Sequence, residues 1–268
     1  MNEASAKVPV VLLHGWGVNR AIWDVEPTLR SSLSEHYELH VLDLPGYGMD
    51  VGYTGSYDLE QAVARVLDRA PQRAVWVGWS LGATIAMQIA LSHPQRLIGL
   101  QLISPTPRFM QGAGWVCGMA REPLENLRSD FLADYDQALK RFLMLQTSSR
   151  RLIRGCFEAV LTMPRPHSKT IDRSLTLLAK TDLREQVEQI DLPTQIVFGN
   201  KDRIVPPAAC LALHKTLAAD GRGLNQLEQL KCSVACGICQ LEGGHLCFLE
   251  NSEQYFQTLL EFTGAIGE

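Results

Sequence analysis

The chain has no long hydrophobic run. Its first apolar stretch, Val8 to Leu13, is too short for a secretory core followed by a cleavage site. Nothing later approaches the roughly 20 apolar residues a membrane helix needs. A cytoplasmic protein with no membrane partner is the expectation. Positive charge is not in excess either. Lys and Arg number 25 against 29 Asp and Glu, a net charge of -4, so whole-chain charge points to no nucleic-acid role. A disulfide framework is also missing. The seven cysteines are odd in number and mostly scattered, and no signal peptide precedes them, so reduced thiols are expected. There is no internal repeat and no low-complexity tract.

What is present is an ordinary globular composition. The chain has 268 residues, 46% hydrophobic and 20% charged, enough for a large core in one or two domains. Short apolar runs at Pro9 to Leu13, Glu38 to Asp43, Ala74 to Val77 and Arg96 to Ser104 read as buried parallel strands. An amphipathic helix is predicted over 58–69. This alternation implies a mostly parallel sheet covered by helices on both faces, an α/β class.

The alternation breaks after Pro107. From residue 108 to 185 the patterns are helical, with Leu124, Leu127, Phe131, Tyr135, Leu139 and Phe142 three or four residues apart. Further helices are predicted over 151–161 and 171–179. Strand character resumes at Thr194 to Phe198, followed by a helix over 207–218, a strand within 232–241 and a helix over 252–262. The expected organisation is therefore a core at 1–107, a helical cap at 108–185 and a second core segment at 186–268. The cap holds 13 Lys+Arg and 9 Asp+Glu, a net of +4 inside a chain of net -4.

Gly78-Trp79-Ser80-Leu81-Gly82 lies between the strand at 74–77 and a helical run from Ala83 to Ala90. Gly-x-Ser-x-Gly between strand and helix is the pattern of a nucleophile elbow. A serine hydroxyl is a poor nucleophile at neutral pH and needs a base, and the base needs an orienting group. Asp202 follows the strand at 194–198. His245 follows the last strand, in Glu-Gly-Gly-His. Both sit where parallel sheets place their sites, at carboxyl ends of strands. The order Ser80, Asp202, His245 is that of α/β-hydrolases. An oxyanion needs donors. The N–H of Leu81 supplies one, and Trp16, in the glycine-rich turn His14-Gly15-Trp16-Gly17, is best placed for the other.

With these residues in hand, the chain resembles the α/β-hydrolases with a four-helix cap inserted after the sixth core strand. More narrowly, it resembles the family of pimeloyl-[acyl-carrier protein] methyl ester carboxylesterases of biotin synthesis. The words that carry the likeness are Leu12 to Asn19 with Trp23, Asp43 to Gly48, Gly78 to Gly82, Arg141 to Thr147 and Leu178 to Arg184. The resemblance implies a serine carboxylesterase without cofactor or metal. It implies that Trp16, Ser80, Leu81, His245 and the stretch Phe142, Leu143, Met144, Leu145, Gln146 line an acyl pocket. It also implies that cap arginines dock an acyl carrier protein. Arg141 and Arg154 match family positions, Glu158 replaces the next one, and Arg150 and Arg151 share a helix face with Arg154. Other departures are Ala83 for a usual glycine, Cys247 for a usual proline, and an extra segment at about 218–231.

Rival readings are a broad short-chain carboxylesterase, a carbon–carbon hydrolase or thioesterase on the same triad, and a non-catalytic binder on the same fold. Cys232, Cys236 and Cys239 have the spacing of a radical iron–sulfur motif. A strand over 232–241 would turn Cys239 away from the other two, so buried structural cysteines are the expectation.

Overall fold

The computed structural model describes residues 7–218 and 237–267. Among these, six strands form one parallel sheet: β1 (Val8–Leu13), β2 (Tyr37–Leu42), β3 (Ala74–Trp79), β4 (Leu97–Ile103), β5 (Thr194–Gly199) and β6 (Ile238–Leu241), in the order β2-β1-β3-β4-β5-β6. Every neighbouring pair is parallel. The centre of the sheet is covered on both faces. Val10 to Leu13, Val75 to Val77, Leu100, Leu102 and Ile103 are all fully buried. Such strands read as continuous apolar runs.

The order reverses at β1: both its neighbours follow it in sequence, with β2 on one side of it in the sheet and β3 on the other. Open parallel sheets place ligands in the crevice outside the carboxyl ends at such a switch point. Leu13 of β1 pairs with Gly78 of β3, so the turns after these strands emerge side by side. On the other flank Trp79 pairs with Ile103, and Gly199 with Leu241. Register alone thus brings residues 14–17, 80, 202 and 245 to one edge.

The core helices are α1 (Pro27–His36), α2 (Leu59–Leu67), α3 (Leu81–Ser92), α8 (Pro207–Ala218), α9 (Cys247–Glu250) and α10 (Ser252–Gly267). Helix α2 starts where Asp58 accepts the Gln61 N–H at 2.8 Å. Helix α1 has no counterpart among the sequence expectations. Only Leu29 and Leu33 of it are buried, too few to print a period. Helix α10 continues past the expected end at 262. No described helix is long and apolar enough to cross a membrane.

Between β4 and β5 lie α4 (Arg121–Ala133), α5 (Tyr135–Gln146), α6 (Arg150–Leu161) and α7 (Ser168–Lys180). This insertion follows the fourth described strand, where the resemblance counted a sixth. The three- and four-residue spacing from 124 to 142 runs through a break. Asp134 is extended, at φ -154°, and its carboxylate accepts the Gln137 N–H, ending α4 and starting α5. Ser149 caps α6 in the same way, through the Leu152 N–H. The strand expected within 232–241 begins at Ile238 as described. Cys239 lies in it, whereas Cys232, Cys236 and the extra segment from 219 onward lie outside the described residues.

Candidate active site

Ser80 sits between β3 and α3 at φ 56°, ψ -114°. A non-glycine residue in this region costs about 1–3 kcal/mol, a strain found mainly at functional turns. The flanking glycines make the turn possible. A side-chain carbon on Gly78 would stand 2.5 Å from the Gly82 carbonyl oxygen. One on Gly82 would stand 2.6 Å from the carbonyl oxygen of Leu13 and 2.7 Å from that of His14. The pentapeptide is therefore packed by backbone on both sides. Ala83, in place of the family's usual glycine, is fully buried.

Leu81 opens α3, so its N–H belongs to the first-turn donors that have no acceptor within the helix. The glycine-rich turn after β1 lies against the elbow. A Cβ on Gly15 would be 3.3 Å from Ser80 Cβ, which puts the Trp16 backbone at the serine. Neither the Trp16 nor the Leu81 N–H has an acceptor among the described residues. The turn is braced by His14. Its Nε2 accepts the Leu44 N–H at 2.9 Å, and its Nδ1–H donates to the Gly15 carbonyl at 2.8 Å. That pattern requires a neutral ring. Burial agrees, because it lowers the His14 pKa below the ordinary histidine value even with Asp43 beside it.

Asp202 and His245 meet after β5 and β6. His245 Nδ1–H donates to Asp202 Oδ2 at 2.7 Å, and both residues are buried. Asp202 Oδ1 accepts the N–H groups of Ile204 and Val205 at 2.8 and 2.9 Å. With the proton on Nδ1, the Nε2 lone pair is left as the base. Trp79 joins this pair to the elbow: its Nε1–H donates to the His245 carbonyl at 2.9 Å, and the two rings lie 5.3 Å apart. Among the described residues no hydrogen bond joins Ser80 Oγ to His245 Nε2. Such links are often loose without a substrate. Nearby Cys210 and Cys247 have their thiol pKa pushed well up by burial, so neither is a ready thiolate.

The Gly-Gly-His turn has a steric cause. A Cβ on Gly244 would overlap the Gln146 carbonyl oxygen, and one on Gly243, at φ 112°, would overlap Glu250 Oε2. Glu250 accepts the Gly244 N–H at 2.7 Å with one oxygen and the Thr147 hydroxyl with the other. Sequence reasoning singled out neither Glu250 nor Thr147 for a role; an acid in a helix reads as solvated surface.

The inserted helices close over Trp16. Its indole packs edge-on against Phe131 of α4 at 4.7 Å and Phe142 of α5 at 5.5 Å. Its Nε1–H donates to Ser174 Oγ of α7 at 2.9 Å. Ser174 gives its own proton to the Thr170 carbonyl, so the Tyr47 hydroxyl, 2.7 Å away, donates to Ser174 as well. Ser174 was absent from the sequence expectations, since a helix-interior serine carries no motif. The stretch 142–146 splits between two faces, as one helix must. Phe142, Leu143 and Gln146 are buried, whereas Met144 and Leu145 are about half exposed, at 50% and 52%. Gln146 has neither amide atom hydrogen-bonded, although both are buried. A buried polar group of this kind calls for a partner.

Three of the four cap arginines are engaged on the chain itself. Arg141 lies 3.4 Å from Asp130, Arg151 2.6 Å from Glu26, and Arg154 2.8 Å from Glu158. Arg150 is exposed at the start of α6 and has no ion pair among the described residues. Glu158, which replaces an expected arginine, is thus the acid that occupies Arg154.

Comparison with known proteins places the chain in a family. The model of the alpha/beta hydrolase family matches residues 10–258. A pimeloyl-[acyl-carrier protein] methyl ester esterase of Klebsiella pneumoniae is 38% identical over 201 residues, 74% of this chain and 76% of that one. One from Edwardsiella ictaluri is 39% identical over 206 residues, 75% of this chain and 78% of its own. Among solved structures, an esterase from Exiguobacterium antarcticum superposes with a TM-score of 0.80 at 24% identity, covering 98% of this chain and 93% of that one. A hydrolase from Pseudomonas aeruginosa gives 0.76 at 21% identity, covering 97% and 91%. These two likenesses speak to the fold. The chain therefore belongs to the alpha/beta hydrolase family and, within it, to the family of those methyl ester esterases.

Proposed function

We propose that this chain is a serine carboxylesterase that hydrolyses the methyl ester of pimeloyl-[acyl-carrier protein] in biotin synthesis. The observation that carries the chemistry is the buried His245–Asp202 pair, 2.7 Å apart, at strand ends beside a serine held at φ 56°. His245 Nε2 takes the Ser80 proton as Oγ attacks the ester carbonyl. The N–H groups of Trp16 and Leu81 receive the oxyanion. His245 then protonates the departing methanol. Water, activated by the same nitrogen, releases the acid and restores Ser80. Asp202 keeps the proton on Nδ1 and stabilises the imidazolium without being protonated itself.

The substrate assignment rests on the relatives' names and on the roof over Ser80. Trp16, Phe131 and Phe142 form an aromatic wall suited to a methylene chain. Gln146 adds a buried amide with no hydrogen-bond partner among the described residues. The carrier protein is acidic-facing in this reading and docks on the cap through Arg141, Arg150, Arg151 and Arg154, with residues 108–185 as the cap. Exposed ion pairs are weak, so an acidic partner can displace Asp130 or Glu158.

The same ion pairs favour a second reading, a short-chain esterase whose cap only shapes the pocket. One experiment separates the two. Hydrolysis of methyl pimeloyl-carrier protein and of free dimethyl pimelate is compared in the wild type and in Arg150/Arg151/Arg154→Glu. A loss confined to the carrier substrate and deepened at low salt supports docking. Equal efficiency on both substrates, untouched by charge reversal, supports the second reading.

A further inference from the structure

We infer that Glu250 is a positioning residue that sets the base and the cap as one unit, by holding the turn of His245 against the end of α5. The inference rests on the esterase reading above.

The ring of His245 is fixed at Nδ1 by Asp202, but its backbone is fixed by its neighbours. Gly244, just before it, donates its N–H to Glu250 Oε2 at 2.7 Å. Leu246, just after it, donates its N–H to the Gln146 carbonyl at 3.4 Å. Glu250 Oε1 accepts the Thr147 hydroxyl, and Thr147 Oγ1 accepts the Ser149 N–H at 3.0 Å. One carboxylate thus bridges the base turn to the residue that ends α5. The two glycines leave no room for anything else: a Cβ on Gly244 would meet Gln146, and one on Gly243 would meet Glu250. Gln146, whose unpaired amide is buried beside this bridge, belongs to the same end of α5. Where α5 sits therefore bears on where His245 Nε2 sits.

Glu250 touches no reacting atom. Its removal lets the turn drift, and misplacement of a base by about 1 Å costs on the order of 100-fold in rate. The test uses full-length protein and a short methyl ester, with active sites counted by a serine-directed phosphonate. Glu250→Ala should lower kcat per titrated site by roughly 10- to 100-fold while KM moves by less than about threefold. Glu250→Gln, which keeps an acceptor for Gly244, should recover most of that loss. Thr147→Val, close in shape to the native residue, should show a smaller loss that is not additive with Glu250→Ala. Independently of turnover, the proton NMR signal of His245 Nδ1–H should shift or broaden in Glu250→Ala. Wild-type kcat per titrated site in Glu250→Ala would overturn the inference, as would equal losses in the Ala and Gln variants. A wild type without ester turnover would remove the esterase reading, while the NMR comparison would still report on the turn.

Discussion

The strand-end turns and the inserted helices handle polar groups in opposite ways. At the turns, the buried pair is closed. Asp202 accepts from Ile204, Val205 and His245, and His14 uses both ring nitrogens. On the helical insertion, Arg141 and Arg154 pair at the surface with Asp130 and Glu158, which are exposed in turn, and Gln146 is buried with its amide unused. The difference teaches where rigidity is needed. A proton relay tolerates little misplacement, so its groups are locked by backbone donors. A surface that accepts different occupants gains from pairs that are cheap to exchange.

If that contrast holds, damage at the turns should be large and damage on the insertion small. The largest effect is expected for Ser80→Ala, a loss of about 10⁴-fold or more in kcat for any ester, with the circular dichroism spectrum intact. Ser80→Gly should abolish turnover too, yet raise stability by about 1 kcal/mol in urea melts, because glycine relieves the φ 56° strain. Asp202→Asn comes next, at roughly 10³- to 10⁴-fold in kcat, because the amide no longer enforces the proton on Nδ1. Ser174→Ala tests the seam between the two regions. It leaves the Trp16 indole N–H and the Tyr47 hydroxyl without their acceptor and should cost about 1–3 kcal/mol in denaturant unfolding. Smallest is Arg154→Ala, which removes an exposed partner of an equally exposed Glu158 one turn along α6 and should leave the urea midpoint unchanged. A loss at Arg154 comparable to that at Ser174 would break the contrast.

Acid should also find the turns first. His14 is held neutral, its pKa lowered by burial, whereas the unfolded chain binds a proton near the ordinary value of about 6.5. Below that value the unfolded state takes up more protons than the folded one, so stability falls as pH falls towards the lowered pKa. It is fully present above about 6.5. Thermal melts of the wild type and His14→Gln between pH 8 and 5 should show a shallower decline in the variant.

Much of this was legible in the sequence, for identifiable reasons. Ser80, Asp202 and His245 each close a strand, and turns at strand ends use distinctive residue words that survive without three-dimensional information. The helical class of residues 121–180 followed from apolar spacing. The break at Asp134 did not, because Tyr135, Leu139 and Phe142 keep the period across it while only the backbone turns. Helix α1 was invisible because two leucines anchor it. Glu250 was invisible because its partners, Thr147 and Gly244, lie 103 and 6 residues away. The ion pair of Arg151 with Glu26 was invisible for the same reason, its partners lying far apart in the chain. The arginines could be found; their occupation could not.

Ser174 carries one more consequence. Two donors from the first third of the chain, Trp16 and Tyr47, end on its single oxygen. A designer who replaced α4–α7 with the lid of another hydrolase would import a new pocket and lose this acceptor. The chimera would keep Ser80, Asp202 and His245 yet carry two stranded N–H and O–H groups directly beside the glycine-rich turn proposed to receive the oxyanion. Grafted lids on this scaffold should therefore be screened first for a hydroxyl at that point, before any choice is made about substrate.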